Sequence, residues 1–527
     1  MSRRVAALAV VAALLAAACG GDESSDPPPL VTTAPSSIAP GDEPAPTSTT
    51  DAAEAVTTTV APLPSVSIDQ VGCPDHIRRT DGADLACGVV TVPIDRTDGA
   101  DGSTRITVTT MAGYDDGFVT PLAVLQGGPG GASSDLAAWF PQQPFTQVFV
   151  DQRGTGFVGS DFDCTEIFDR LPRVLSSDFD DASVLAEEAY GDCARRLDQD
   201  VVLQHTESET HAGDVADVMA ALGYERWTVY GVSYGSTIGL ELLRDEPTGL
   251  VGVVLDGVYP PDLDTDAALV SSAGRALDVI DEACMAEAVC RQYLDGDSVR
   301  TALERVMVDL DRDPMTVSIG GNRLGLSADV DLVLDGRRTA ELIFPLMYHE
   351  SQLRYLPAII GALDERDQSA ADWLAFTGAR FLVTSLAAND EGTYFAVQCH
   401  DRLPFTDGPG EVDDPFAAAV AAAPLAQACP EWERDAAPAV ANEPVTSDLP
   451  TLLLSGFYDP ITPPSYAEQA AESLSRSTLV EQGGRGHGIW FGSTCIAEIV
   501  QQFVADPARR LDVACAAEPV PVEWARP

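Results

Sequence analysis

The chain has 527 residues with 82 acidic and 31 basic side chains, a formal charge of −51, and every basic residue counted there is an arginine. So acidic a surface cannot neutralise phosphates, which excludes nucleic acid as a partner. The length suffices for one large domain with an insertion, or for two domains.

The N-terminus "MSRRVAALAVVAALLAAACGG" carries Arg3 and Arg4, then an apolar run from Val5 to Ala18, then Cys19. That run is shorter than the roughly 20 residues a membrane span needs, so residues 1–18 read as an export signal peptide. Small residues lead into Cys19 and glycines follow it. The arrangement resembles a bacterial lipoprotein signal, which implies that Cys19 is acylated and becomes the new N-terminus. Residues 19–65 would then form a lipidated tether: from 22 onward they are Pro, Thr, Ser and Ala with almost no large apolar side chains. Such a segment cannot bury enough surface to offset its ordering entropy, so disorder is expected. The expected location is the extracellular face of the cell membrane, or secretion, with membrane contact only through the lipid.

Ten further cysteines follow: Cys73, Cys87, Cys164, Cys193, Cys284, Cys290, Cys399, Cys429, Cys495 and Cys515. An even number in an exported chain reads as disulfides. Connectivity does not follow from sequence; pairing of neighbour with neighbour, closing five short loops, is the expectation. No Cys-x-x-Cys pair occurs, so no metal site is expected.

Strand-like segments occur at 88–94, 105–113, 121–128, 146–154, 227–231, 250–257, 449–456 and 477–484. Apolar runs with helical segments between the later ones predict a mostly parallel eight-stranded sheet covered on both faces, an α/β class of fold. The interval 262–445 breaks this rhythm with long helical patterns, and reads as a helical cap inserted after the sixth strand. The core is thereby expected in two parts, 66–261 and 446–527.

The stretch "RWTVYGVSYGSTIGLELL" at 226–243 sets Ser233 between Gly231 and Gly235, at the junction of a predicted strand and helix. Gly-x-Ser-x-Gly in that position is the layout of a nucleophile elbow. A serine nucleophile needs a base and an orienting acid, which α/β-hydrolases supply in the order Ser, Asp, His. Of the six histidines, His487 in "GGRGHGIW" follows the last predicted strand, whereas His400 lies beside Cys399 in the cap region. The acid should end the preceding strand, and "LPTLLLSGFYDPITPP" places Asp459 there. The oxyanion that forms on attack needs amide donors; "LQGGPGGASS" at 125–134 offers Gly128, and Tyr234 follows the nucleophile.

Together "GGPGG" (127–131), "DQRGTG" (151–156), "GVSYGS" (231–236), "SGFYDPITP" (455–463) and "GRGHG" (484–488) resemble the α/β-hydrolase peptidases of the prolyl iminopeptidase and tripeptidyl aminopeptidase family, nearest their exported actinobacterial branch. The likeness covers nearly all of 70–527. Intracellular iminopeptidases usually carry His where Gln126 stands here, which favours the exported tripeptidyl branch. The resemblance implies a serine exopeptidase acting on peptides without a cofactor. Asp151 and Arg153 are expected to brace loops, and Thr462 to hydrogen-bond near the acid or cap a helix. An exopeptidase must recognise a free ammonium, and Asp401 is the candidate partner. Two other readings stand beside this one. An esterase or lipase on small acyl esters would use the same triad beneath an apolar tunnel, and a non-catalytic surface binding protein would not need Ser233, Asp459 and His487 together.

Overall fold

The computed structural model describes residues 68–524, apart from 80, 98–99, 116, 159–161, 423–428, 430–431, 433 and 519. The expected signal peptide, Cys19 and the whole tether lie outside the described residues. Eleven strands occur there: β1 (Ile68–Val71), β2 (Leu85–Pro93), β3 (Ser103–Met111), β4 (Leu122–Leu125), β5 (Gln147–Val150), β6 (Trp227–Val232), β7 (Leu250–Asp256), β8 (Met315–Ile319), β9 (Val330–Leu334), β10 (Thr451–Gly456) and β11 (Ser477–Gln482). Nine of them form one sheet in the order β1-β2-β3-β5-β4-β6-β7-β10-β11. The run from β5 to β11 is parallel and β1, β2 and β3 are antiparallel. The sheet thus has nine strands rather than eight. The extra one, β1, is a short edge strand of four residues, "IDQV", too brief and too polar to announce itself as a strand.

All six residues of β6 and of β10 are buried, as expected for parallel strands covered on both faces. β7 ends at Asp256 and its neighbour β10 begins at Thr451, so 257–450 is an insertion between adjacent strands. The insertion is not wholly helical: β8 and β9 pair as an antiparallel hairpin whose residues alternate between buried and exposed. Its longest helices, Thr265–Ala286 and Gln368–Ala388, share one apolar core with helices Thr165–Leu175 and Phe179–Leu197, which precede β6 in the chain. The roof over the sheet is therefore made from two stretches of sequence. Amphipathic periodicity shows that a helix has a buried face but not what lies against it.

Disulfides join Cys73–Cys87, Cys164–Cys193, Cys284–Cys290, Cys399–Cys429 and Cys495–Cys515. The second spans 29 positions and ties the two roof helices that precede β6. Replacing Cys164 and Cys193 together by alanine is expected to remove about 3–4 kcal/mol of stability by freeing the unfolded chain. Urea unfolding of the double variant measures the loss.

Candidate active site

β6 delivers Ser233 at the mouth of the helix Tyr234–Asp245, with φ +57° and ψ −124°. A non-glycine residue at such angles is held against its preference by its surroundings. The Ser233 amide donates to the Asp256 carbonyl at 2.9 Å, and the Ser233 carbonyl accepts from the Ser236 hydroxyl at 2.5 Å. The following turn is too close to its neighbours for a side chain: a Cβ on Gly235 would lie 2.4 Å from the Leu125 carbonyl oxygen. Ser233 is thus held in place at the junction of strand and helix.

Asp459 follows β10 and is fully buried. Its Oδ1 accepts the amides of Ile461 at 3.0 Å and Thr462 at 2.8 Å. Its Oδ2 accepts the Thr462 hydroxyl at 2.7 Å and His487 Nδ1 at 2.8 Å. Thr462 Oγ1 also stands 3.0 Å from that ring nitrogen. The proton therefore belongs on Nδ1, which leaves Nε2 as the acceptor that a base requires. Burial disfavours the charge on both groups, and their mutual attraction outweighs it. Asp459 is held below the ordinary carboxylate range and His487 above the ordinary histidine value. The roof also reaches His487, whose amide donates to the Tyr348 carbonyl at 2.8 Å, and the two rings meet edge to face at 5.3 Å.

The loop after β4 passes beside Ser233, where a Cβ on Gly127 would stand 2.7 Å from Ser233 Cβ. Gln152 ties this loop together. Its amide nitrogen donates to the carbonyls of Gln126, Gly127 and Gly131 at 3.1, 3.0 and 3.3 Å, and its oxygen accepts the Gly130 amide at 2.8 Å. Its place inside "DQRG" was the only signal in the sequence. Asp151 holds Ser134 through its amide and hydroxyl, both at 2.7 Å. Arg153 forms a two-pronged pair with Asp214 at 2.6 and 2.9 Å. Both thus brace loops. The Gly127 amide is turned to Gln126 Oε1 at 3.2 Å, whereas among the described residues the Gly128 and Tyr234 amides donate to no partner, the condition an oxyanion donor must meet.

Asp401, the candidate partner for a substrate ammonium, already has partners inside the fold. Its Oδ2 accepts the Ser208 amide at 2.9 Å and hydroxyl at 2.6 Å, and its Oδ1 pairs with His400 Nδ1 at 2.6 Å. Ser208 continues to the Tyr234 hydroxyl at 3.0 Å, which meets His211 Nδ1 at 2.9 Å. Burial raises the Asp401 carboxyl, but His400 and Ser208 outweigh it and hold the group below its ordinary value. Through these contacts the carboxylate braces the helix Tyr234–Asp245 from behind. Among the described residues, no cluster of three or more His, Cys, Asp or Glu is placed to hold a metal ion.

Comparison with known proteins agrees with this architecture. The family described as "alpha/beta hydrolase fold" matches residues 120–275, and the one described as "TAP-like protein" matches 414–515. A "Probable proline iminopeptidase" of Streptomyces coelicolor is 30% identical over 139 residues, which is 26% of this chain and 32% of that protein. The chain therefore matches only about a third of that relative's length. The "Serine protease Hip1" of Mycobacterium tuberculosis is 24% identical over 453 residues, covering 79% of this chain and 84% of that protein. A solved proline iminopeptidase of Mycobacterium smegmatis superposes with a TM-score of 0.39 at 16% identity, over 79% of this chain and 97% of its own. The chain is thus similar to α/β-hydrolase-fold proteins over 120–275 and to TAP-like proteins over 414–515.

Two outcomes follow from the geometry. Gly127→Ala should lower the rate at which a fluorophosphonate labels the protein by on the order of a hundredfold, because the added methyl displaces the nucleophile. Asp401→Asn should cost about 1–3 kcal/mol of stability at neutral pH, from donors left without a charged acceptor. Because the folded-state pKa of Asp401 is depressed, its contribution is present above the unfolded value and is lost as pH falls through the folded one. The difference between wild type and variant in urea should therefore shrink as the pH falls below the ordinary aspartate value of about 3.9.

Proposed function

We propose that the protein is an exported, lipid-anchored serine exopeptidase that releases short N-terminal fragments from peptides. The observation that carries this reading is the 2.8 Å bond from His487 Nδ1 to the buried Asp459 carboxylate, beside the strained Ser233 elbow. Ser233 Oγ attacks the scissile carbonyl while His487 Nε2 takes its proton. The oxyanion is held by the Gly128 and Tyr234 amides, and His487 returns the proton to the leaving amine. Water then hydrolyses the acyl-enzyme by the same path. The tripeptidyl aminopeptidase-like specificity draws support from the TAP-like match and from the roof, which meets the base at Tyr348 and would exclude folded chains. Export draws support from the five disulfides. Among the described residues, no helix is long and apolar enough to cross a membrane, so attachment would rest on acylation of Cys19.

Ser233→Ala is expected to abolish both fluorophosphonate labelling and turnover. The raised His487 value places the acid limb of kcat/KM above about pH 6.5, with activity lost as pH falls and the imidazole is protonated. Peptides with a free amine should be cut about tenfold to more than a hundredfold better than their N-acetylated forms, the span of a charge-assisted contact of roughly 1.5–3 kcal/mol. Equal cleavage of the two, with rapid turnover of p-nitrophenyl esters, would instead establish an esterase or endopeptidase.

A further inference from the structure

Asp256 ends β7 and its side chain is fully buried. Three neutral donors converge on its carboxylate. Oδ1 accepts the Ile489 amide at 2.9 Å, and Oδ2 accepts the Trp490 amide and the Tyr230 hydroxyl, each at 2.9 Å. Ile489 and Trp490 are the second and third residues after His487, so this carboxylate fastens the loop that presents the base. The Asp256 carbonyl accepts the Ser233 amide at 2.9 Å, so one residue holds the nucleophile through its main chain and the base loop through its side chain. The next residue presses on the imidazole itself: a Cβ on Gly257 would lie 3.0 Å from His487 Cε1 and 3.2 Å from Nδ1.

A carboxylate so placed is more than a staple. Its three donors favour the ionised form while burial outweighs them and holds the group above the ordinary carboxylate value; its negative charge beside a buried imidazole favours the imidazolium. The charged and titratable groups acting on His487 come from three elements: Asp459 from the loop after β10, Asp256 from β7, and His349 from the roof, where Tyr348 also packs on the ring. Burial pulls the imidazole down and Asp459 pulls it up most strongly, with Asp256 adding in the same direction.

We propose that Asp256 is a positioning residue of the triad, a second buried carboxylate that fixes the His487 loop and supports the imidazolium formed when Ser233 loses its proton. The inference rests on the triad proposed above. It assigns His487 two carboxylates with different tasks: Asp459 orients the ring by direct contact, and Asp256 orients the loop and adds charge through space.

The test is the titration of His487 by NMR, tractable in a chain with six histidines, together with the pH dependence of fluorophosphonate labelling. Asp256→Asn keeps the shape and removes the charge. The His487 titration and the acid limb of labelling should both move to lower pH by up to about one unit, and labelling near neutral pH should slow about tenfold. A slower reaction with neither midpoint moved would make Asp256 merely structural and overturn the proposal. If Asp256→Asn does not fold, Tyr230→Phe replaces it. Loss of that hydroxyl leaves the carboxylate charge less compensated, so the His487 titration should rise by a few tenths of a pH unit. An unmoved titration in that folded variant overturns the proposal equally. Absence of labelling at Ser233 in the wild type would defeat the triad reading instead, and the NMR titration would still decide the role of Asp256.

Discussion

The hydrogen-bonded register of β6, β7, β10 and β11 is the constraint on which the site depends. Val232 and Leu454 both pair with Asp256, and Gly456 pairs with Gln482. Four parallel strands therefore end at nearly one level, and the turns leaving them carry Ser233, Asp256, Asp459 and His487. Parallel strands about 4.8 Å apart bring such turns within side-chain reach of each other without any loop having to be long. A one-residue slip of β10 against β7 would turn its side chains to the other face and carry the turn that holds Asp459 with it.

Around that line of strand ends the fold solves one electrostatic problem three times. Asp459, Asp256 and Asp401 are buried carboxylates, and each is surrounded by donors drawn from different parts of the chain. A buried charge is costly unless its lone pairs are occupied, so each carboxylate obliges several segments to meet at one point. The partners differ and so do the consequences. Asp459 meets a ring nitrogen and fixes a tautomer, Asp256 meets two amides and fixes a loop, and Asp401 meets Ser208 and braces the nucleophile helix from behind.

The roof belongs to the same arrangement. It touches the loop after β4 where the Asp390 amide donates to the Gly130 carbonyl at 2.9 Å, and the His487 loop where Tyr348 accepts the His487 amide at 2.8 Å. Both loops are thereby held between sheet and roof. The disulfide Cys164–Cys193 ties the helices that the roof draws from the stretch before β6, and Cys399–Cys429 secures the segment that supplies Asp401.

Local chemistry was legible in the sequence. Gly231, Ser233 and Gly235 mark a tight turn by residue type, and alternating strand and helix patterns were enough to give the class of fold and to put Asp459 and His487 after strands. What only the tertiary structure decided is which groups meet across long separations. Asp401 was expected to face a substrate, but it pairs with Ser208, 193 positions away. Gln152, Tyr348 and Asp256 gave no comparable sign, because each acts through backbone amides or carbonyls of remote loops, and those atoms are the same in every residue. The stretch before β6 likewise gave no indication that it belongs to the roof. A side chain's type limits the bonds it can make, but the partner that takes them is chosen by packing, and packing is settled only when the whole chain is folded.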